Sequence, residues 1–240
     1  MERPPLSNPL TRTLAWATGR LIMRSLRRQF RAVRLRERGR PDPGRSIIVF
    51  ANHHYWWDGY LVHLLQQHWG FGTVMVWMRE WRRFPPFGSL GAMPFPDDDM
   101  KTRIATIRQT LRTLKNTPSM LFLFPERDLH SAPTLLPFHR SLFWLHRQLD
   151  EIPLLPVAIQ VVAGIHQYPE VFIATNRHFC CEESDEKAWL ECARSEIAGL
   201  LGDLDRLQRS SPESFRRILD GRQSANERWR CSGRPPSQPK

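Results

Sequence analysis

The chain has 240 residues, of which 41% are hydrophobic, so it is long enough for one large domain with its own core and too apolar to be disordered throughout. Lys and Arg number 35 against 24 Asp and Glu, which gives a formal net charge of +11. That excess favours a polyanionic partner, either nucleic acid or an anionic lipid surface. The cysteines form no CxxC pair, so neither a zinc ribbon nor a disulfide framework is indicated, and a reducing cytosolic setting fits best.

Residues 1–45 are predicted to be a basic amphipathic segment, with one or two helices between Leu10 and Arg40. Apolar residues at helical spacing alternate there with arginines. Two interpretations are open: a charged face on a helix that packs against the core, or a membrane-docking helix whose arginines meet anionic head groups while Trp16 enters the lipid. Nucleic acid is the weaker expectation, because the chain carries no DNA- or RNA-binding motif.

Strands and helices alternate through the rest of the chain. Strands are predicted at 46–51, 73–78, 119–124, 155–163 and 170–175, and helices at 60–65, 100–116, 140–150 and 187–207. This order predicts an α/β fold with a mainly parallel mixed sheet covered by helices, which we assign to residues 46–221. The composition of residues 222–240 predicts a disordered basic tail. The longest apolar stretch, 152–165, is broken by prolines and too short for a transmembrane helix.

The stretch "FANHHYWWDGY" at 50–60 places two histidines ahead of an aspartate. Residues five apart on a helix point about 140° away from each other, so His53 can meet Asp58 only across a turn between a strand and a helix. The predicted elements provide that turn. A carboxylate that fixes the tautomer of an imidazole makes it an effective base at neutral pH. Because no GxSxG motif is present, the hydroxyl group that it activates would belong to a substrate.

Two alternatives are open at this stretch. His54 is four residues from Asp58 and would be its partner on a continuous helix, and a metal site would recruit His54, Asp58 and His63, although no HExxH pattern supports one. Trp56 and Trp57 either pack in the core or line a substrate groove.

Five blocks between about 46 and 159 resemble, in the same order, the motifs of the glycerophosphate and lysophosphatidic acid acyltransferases, a superfamily of phospholipid-synthesis enzymes with membrane-peripheral members. "NHHYWWD" resembles the NHxxxxD motif, and "MREWRRFPPFGSLGAMPF" resembles the second block. "LFLFPER" resembles the FPEG block, "LLPFHRS" the basic stretch after it, and "IPLLPVAI" a strand that carries a proline.

The resemblance implies that His53 is the general base, oriented by Asp58, for attack of a lipid hydroxyl on the thioester of acyl-CoA or acyl carrier protein. It implies that Glu126 positions the acceptor and that Pro156 helps to shape the acyl site. It implies no metal and no cofactor beyond the thioester substrate. We therefore expect a peripheral protein at the cytoplasmic face of an anionic membrane.

The chain departs from the family pattern on the acceptor side, where Arg127 replaces the Gly of FPEG and the acids Asp97–Asp99 follow the second block instead of an Arg. Like charges within a Debye length of about 8–10 Å repel, so this run disfavours a phosphate dianion. We expect an acceptor less anionic than glycerol 3-phosphate or lysophosphatidate, such as a lipid alcohol or glycolipid. A catalytically inactive lipid-binding member of the fold is the alternative.

Four basic side chains remain candidates for any phosphate contact in a substrate site. They are Arg79, Arg127, His139 and Arg140.

Overall fold

The computed structural model describes residues 9–231, and over this range the chain forms an eight-stranded mixed sheet between two layers of helices. The strands are β1 (Ala32–Glu37), β2 (Ile47–Ala51), β3 (Val74–Met78), β4 (Ala92–Pro94), β5 (Met120–Leu123), β6 (Leu154–Val162), β7 (Glu170–Thr175) and β8 (Arg216–Asp220). The helices are α1 (Pro9–Gln29), α2 (Asp58–Trp69), α3 (Met100–Asn116), α4 (Ser141–Gln148), α5 (Glu186–Ser210) and α6 (Ala225–Cys231). Short 3-10 helices are formed by Trp81–Arg83, Pro85–Leu90 and Pro212–Ser214.

The strand order is β4-β3-β5-β2-β6-β7-β1-β8. The five strands from β4 to β6 are parallel, β7 runs antiparallel to β6, and the edge strand β8 runs antiparallel to β1. Because β3, β5 and β2 are parallel neighbours, their carboxyl ends meet at one edge of the sheet. The loops that follow them therefore lie side by side there, which is where open α/β sheets bind ligands.

Both faces of the sheet are covered, which explains why β2 is buried along its whole length. Ile47, Val49 and Ala51 face a core that includes side chains of α1 and α2. Ile48 and Phe50 face the opposite core, which α3, α4 and α5 complete. The α/β fold with a covered, mainly parallel sheet is thus confirmed.

The helix expected up to Arg40 ends at Gln29, because residues 32–37 form β1 between β7 and β8. Val33 and Leu35 are buried while Arg34 and Arg36 are less so, an alternation that suits a strand. The sheet hydrogen bonds of β1 on both sides outweigh the helical spacing of its apolar residues. The later part of the expected N-terminal segment therefore belongs to the α/β domain, and residues 1–8 lie outside the described residues.

In place of a disordered tail, residues 225–231 form α6, which is tied to the start of β1. Glu227 accepts hydrogen bonds from the Arg31 guanidinium at 2.6 Å and from the Ser224 N–H at 2.9 Å. The Arg31 interaction holds the pKa of Glu227 well below its usual range, and the bonds from Ser224 add to the effect. Residues 232–240 of the expected tail lie outside the described residues.

The buried side of α1 provides a test of how firmly this helix belongs to the fold. Leu26 is fully buried against the sheet, whereas Leu21 on the same helix is 65% exposed. We expect Leu26→Ala to lower the free energy of unfolding by about 2–5 kcal/mol. Leu21→Ala, the matched control, should change it by less than about 0.5 kcal/mol. Guanidinium chloride denaturation measures both, and equal effects would mean that α1 does not pack on the core.

Among the described residues, the structure contains no helix with the length and apolar character needed to cross a membrane.

Candidate active site

A cavity of about 520 Å³ lies beside the carboxyl ends of β3 and β5, with His53 on its wall. Ile22 of α1, residues of α2 and the two 3-10 helices after β3 complete the enclosure. Most of the wall is apolar, and its aromatic members are Trp56, Tyr60, Trp77, Phe84, Phe87, Phe95 and Phe124. An apolar cavity with a few polar groups is the usual form of a site for a small or lipidic ligand.

His53 and Asp58 are paired as the sequence predicts. His53 follows the end of β2, and Asp58 is the first residue of α2. Asp58 Oδ2 accepts from His53 Nδ1 at 2.9 Å and from the Tyr55 N–H at 3.0 Å. The His53 ring also stacks on Phe124, with the centroids 4.4 Å apart and the planes at 22°. Because Nδ1 donates to the carboxylate, Nε2 is the nitrogen that can accept a proton.

Burial raises the pKa of Asp58, whose side chain is fully enclosed, while the hydrogen bond and charge of His53 act in the opposite direction. Asp58 Oδ1 is buried without a hydrogen-bond partner. The ionised carboxylate is therefore incompletely compensated, and a positive charge on the imidazole of His53 would relieve it. This is the electrostatic arrangement that a general base needs, because the base becomes cationic as it accepts a proton.

His54 has a different environment and is not the partner of Asp58. Its ring is buried, its Nδ1 lies 3.1 Å from Asn52 Nδ2, and burial is the main reason that its pKa is lowered. His63 lies farther along α2, where its Nε2 is 2.9 Å from Gln67 Nε2. The structure thus does not bring His54, Asp58 and His63 together as a set of metal ligands.

Within the described part of the chain, the group of potential metal ligands is His54, Glu126 and His130, whose ligand atoms lie within 4.8 Å of one another. The Asn52 amide accepts from the N–H of Ile159 at 2.8 Å and donates to its carbonyl at 2.9 Å, which fixes Nδ2 as the donor to His54. The His54 proton then lies on Nε2, and a protonated nitrogen cannot bind a metal. Within this group His130 is hydrogen-bonded to Glu126, whereas His54 Nε2 is buried without a hydrogen-bond partner, 4.0 Å from Glu126 Oε1.

Glu126 is buried, and its carboxylate oxygens accept hydrogen bonds from the protein. Oε1 accepts from the His53 N–H at 2.7 Å, while Oε2 accepts from the Leu136 N–H at 2.7 Å and from His130 Nε2 at 2.5 Å. Glu126 thus joins the backbone of His53 to the loop around Leu136. These contacts make it a positioning residue for His53, and its direct contact with an acceptor stays a prediction.

Three of the basic candidates line the cavity, namely Arg79, Arg127 and His139. Arg79 Nη1 lies 2.6 Å from Asp128 Oδ1, and the Arg127 guanidinium is bonded to Asp97. Burial is the main reason that the pKa of His139 is lowered, which favours the neutral ring, and nearby arginines lower it further.

Arg140 and Pro156 lie elsewhere. The Arg140 side chain is 72% exposed and faces Glu186, with Nε 3.8 Å from Oε2. Pro156 is buried in β6, opposite Phe50 of β2, and is not part of the cavity wall. The structure does not bring these two residues to His53.

The aromatic residues of the opening stretch have separate roles. Trp56 is 56% exposed and lines the cavity, whereas Trp57 packs edge-on against Phe30 with the centroids 5.7 Å apart. Of these two tryptophans, Trp56 lines the cavity, as the groove interpretation requires, and its contact with a substrate stays a prediction. Phe124 was missed as a functional candidate, although it follows β5 directly, at the edge of the sheet where ligands bind.

The crystal structure of the 1-acyl-sn-glycerophosphate (LPA) acyltransferase PlsC from Thermotoga maritima shares the fold, with a TM-score of 0.53 and 18% identity over 81% of this chain and 80% of that chain. No curated protein matches the sequence. The family model described as Acyltransferase matches residues 28–160, which is more than half of the chain. Because that match includes His53, Asp58 and the block around Glu126, the chain belongs to the acyltransferase family.

Proposed function

We propose that this acyltransferase moves an acyl group from acyl-CoA or acyl carrier protein to a hydroxyl group of a lipid, with His53 as the general base. The observation that carries the proposal is the His53–Asp58 pair on the wall of a largely apolar cavity. The cavity suits an acyl chain, and the imidazole can take the proton of an alcohol.

The chemistry requires one base and no covalent acyl-enzyme. The acceptor hydroxyl donates a hydrogen bond to His53 Nε2 and attacks the thioester carbonyl as its proton passes to that nitrogen. Nearby backbone N–H groups stabilise the oxyanion of the tetrahedral intermediate. The intermediate then expels the thiolate, which takes the proton back from the imidazolium to leave as a thiol. Asp58 holds the ring and compensates its transient charge.

The membrane-docking role belongs to α1 in this proposal. Leu14, Trp16 and Leu21 are 47%, 66% and 65% exposed, and several arginines of the same helix are exposed as well. The buried side of α1 packs against the core, and its Ile22 lines the cavity. One face of the helix can therefore enter an anionic cytoplasmic membrane surface while the other adjoins the acyl site.

A catalytically inactive lipid-binding protein is the second candidate, because the cationic groups best placed to hold a substrate phosphate are already paired with carboxylates. Such a protein would bind liposomes but transfer no acyl group.

Incubation with radiolabelled acyl thioester and a total lipid extract separates the two candidates. We expect a labelled lipid ester, identified by mass spectrometry, and release of one free thiol per ester formed. Acyl-CoA and acyl carrier protein are supplied in parallel, and a reaction without lipid measures thioester hydrolysis. Liposome binding without ester formation from either donor would contradict the transferase and favour the lipid-binding protein.

A further inference from the structure

Four charged side chains form a cluster beside the cavity, which we name the Arg79–Asp128 cluster and define as Arg79, Asp97, Arg127 and Asp128. Arg79 Nη1 is 2.6 Å from Asp128 Oδ1 and 3.6 Å from Asp97 Oδ2. The Arg127 guanidinium is bonded to Asp97 as well. Asp97 thus contacts both arginines, and the formal charges of the cluster sum to zero.

The pairing extends to each arginine of the cavity wall. These are Arg79, Arg83 and Arg127, and Arg83 Nε lies 3.1 Å from Glu80 Oε2. The remaining basic candidate on the wall, His139, has a lowered pKa and adds no full positive charge at neutral pH. A phosphate monoester that entered here would have to compete with a carboxylate for the charge of each guanidinium group that it used, because phosphate and carboxylate bind the same donors.

Arg127 has a backbone conformation that few residues with a side chain adopt. Arg127 has a φ of 65°, in the left-handed region that favours glycine, so a side chain there costs conformational free energy. Residues held in such conformations concentrate at ligand sites. The Arg127 N–H donates to the Phe124 carbonyl at 3.0 Å, and the Asp128 N–H donates to the Glu126 carbonyl at 2.8 Å. This turn holds Arg127 and Asp128 beside each other, where each reaches its partner in the cluster.

We propose that Asp97 is a specificity-determining residue that pairs with Arg79 and Arg127 of the cavity wall and thereby selects an uncharged lipid alcohol over a phosphate monoester as the acceptor. This inference rests on the acyl transfer proposed above and names the class of its acceptor. It differs from a general repulsion by acids in the sequence, because it assigns the effect to a single carboxylate that forms ion pairs with both Arg79 and Arg127. Asp99 has another task, since it accepts from the Thr102 N–H at 3.0 Å and caps α3.

The test measures kcat/KM for monoacylglycerol and for lysophosphatidate in the same detergent micelles. Asp97→Asn should raise the kcat/KM for lysophosphatidate, relative to the kcat/KM for monoacylglycerol, by about tenfold. This is the size of one partly exposed charge-assisted contact. Asp98→Asn, the matched control, makes the same change in charge at an exposed neighbour that forms none of the cluster contacts. It should leave the ratio as it is. Adding Arg127→Gly to Asp97→Asn should abolish most of the gain, because the freed guanidinium is then missing.

A preference of the parent protein for lysophosphatidate, or an unchanged ratio in Asp97→Asn, would overturn the inference. A second measurement does not depend on turnover. Titration calorimetry measures the binding of glycerol 3-phosphate to two proteins that both carry His53→Ala, one with Asp97 and one with Asp97→Asn. Asp97→Asn should bind about tenfold more tightly than the same protein with Asp97. Equal binding would overturn the inference even if acyl transfer is observed. Tighter binding without any acyl transfer would support the role of Asp97 and contradict the proposed transferase instead.

Discussion

His53→Ala is expected to reduce acyl transfer by about 10²–10⁴-fold, the usual contribution of a general base. The substitution removes the nitrogen that accepts the proton of the attacking hydroxyl. It leaves two contacts of the turn in place, because the N–H of residue 53 still donates to Glu126 and the Tyr55 N–H still donates to Asp58. We therefore expect the variant to fold and to bind liposomes like the parent, as circular dichroism and vesicle sedimentation would show.

His178→Ala is the matched control for this experiment. His178 is exposed after β7, and it is not part of the cavity wall. The control should transfer acyl groups at the parental rate. If His53→Ala keeps more than about a tenth of the parental kcat/KM, the ring cannot be the general base, because the expected loss is at least tenfold larger.

The part of the site that the sequence predicts is the part built by local structure. β2, a short turn and the first residue of α2 are consecutive, so the positions of His53 and Asp58 follow from where a strand ends and a helix begins. Strand runs and helix periodicity locate both boundaries, and together with the resemblance to the acyltransferase motifs they favour His53 over His54. The buried surroundings that raise the pKa of Asp58 come from the packed fold and are not visible in this stretch alone.

The elements that the sequence analysis missed are those that depend on distant partners. β1 has the spacing of a helix and the alternation of a strand at once, and its place between β7 and β8 decides the outcome. β4 has only three residues, and it is a strand because β3 lies beside it. Propensity in such short segments is a weak guide compared with pairing and burial.

The acidic residues 97–99 show the same limit of prediction from sequence. The acids at 97–99 are visible as a run, but the run contains two different roles. Asp99 caps the helix that follows it, whereas Asp97 bonds Arg127, thirty residues away in sequence. That contact arises because β4 and β5 run parallel on the two sides of β3, so the segments that follow them leave the same edge of the sheet. The sequence therefore shows that residues 97–99 carry negative charge, but it does not show that Asp97 pairs with Arg127.

Asp58→Asn is expected to lower acyl transfer by about 10²–10⁴-fold and yet to raise the melting temperature at neutral pH. The loss of activity follows because an amide has no charge to compensate the imidazolium of His53. The gain in stability follows from the raised pKa of Asp58, which burial causes. A raised pKa means that the folded state binds the proton more readily than the unfolded state, so the ionised carboxylate weakens the fold above that pKa.

The pH dependence distinguishes this explanation from a general effect of the substitution. The melting temperature of Asp58→Asn should exceed that of the parent most at neutral pH. The difference should shrink as the pH falls below the ordinary pKa of an aspartate, because Asp58 is then protonated in both the folded and the unfolded protein. Asp98→Asn, with the same change in charge at an exposed position, should show no such trend. Full activity in Asp58→Asn would mean that His53 works without the carboxylate. A lower melting temperature at neutral pH would mean that its hydrogen bonds to His53 and Tyr55 outweigh the cost of burying the charge.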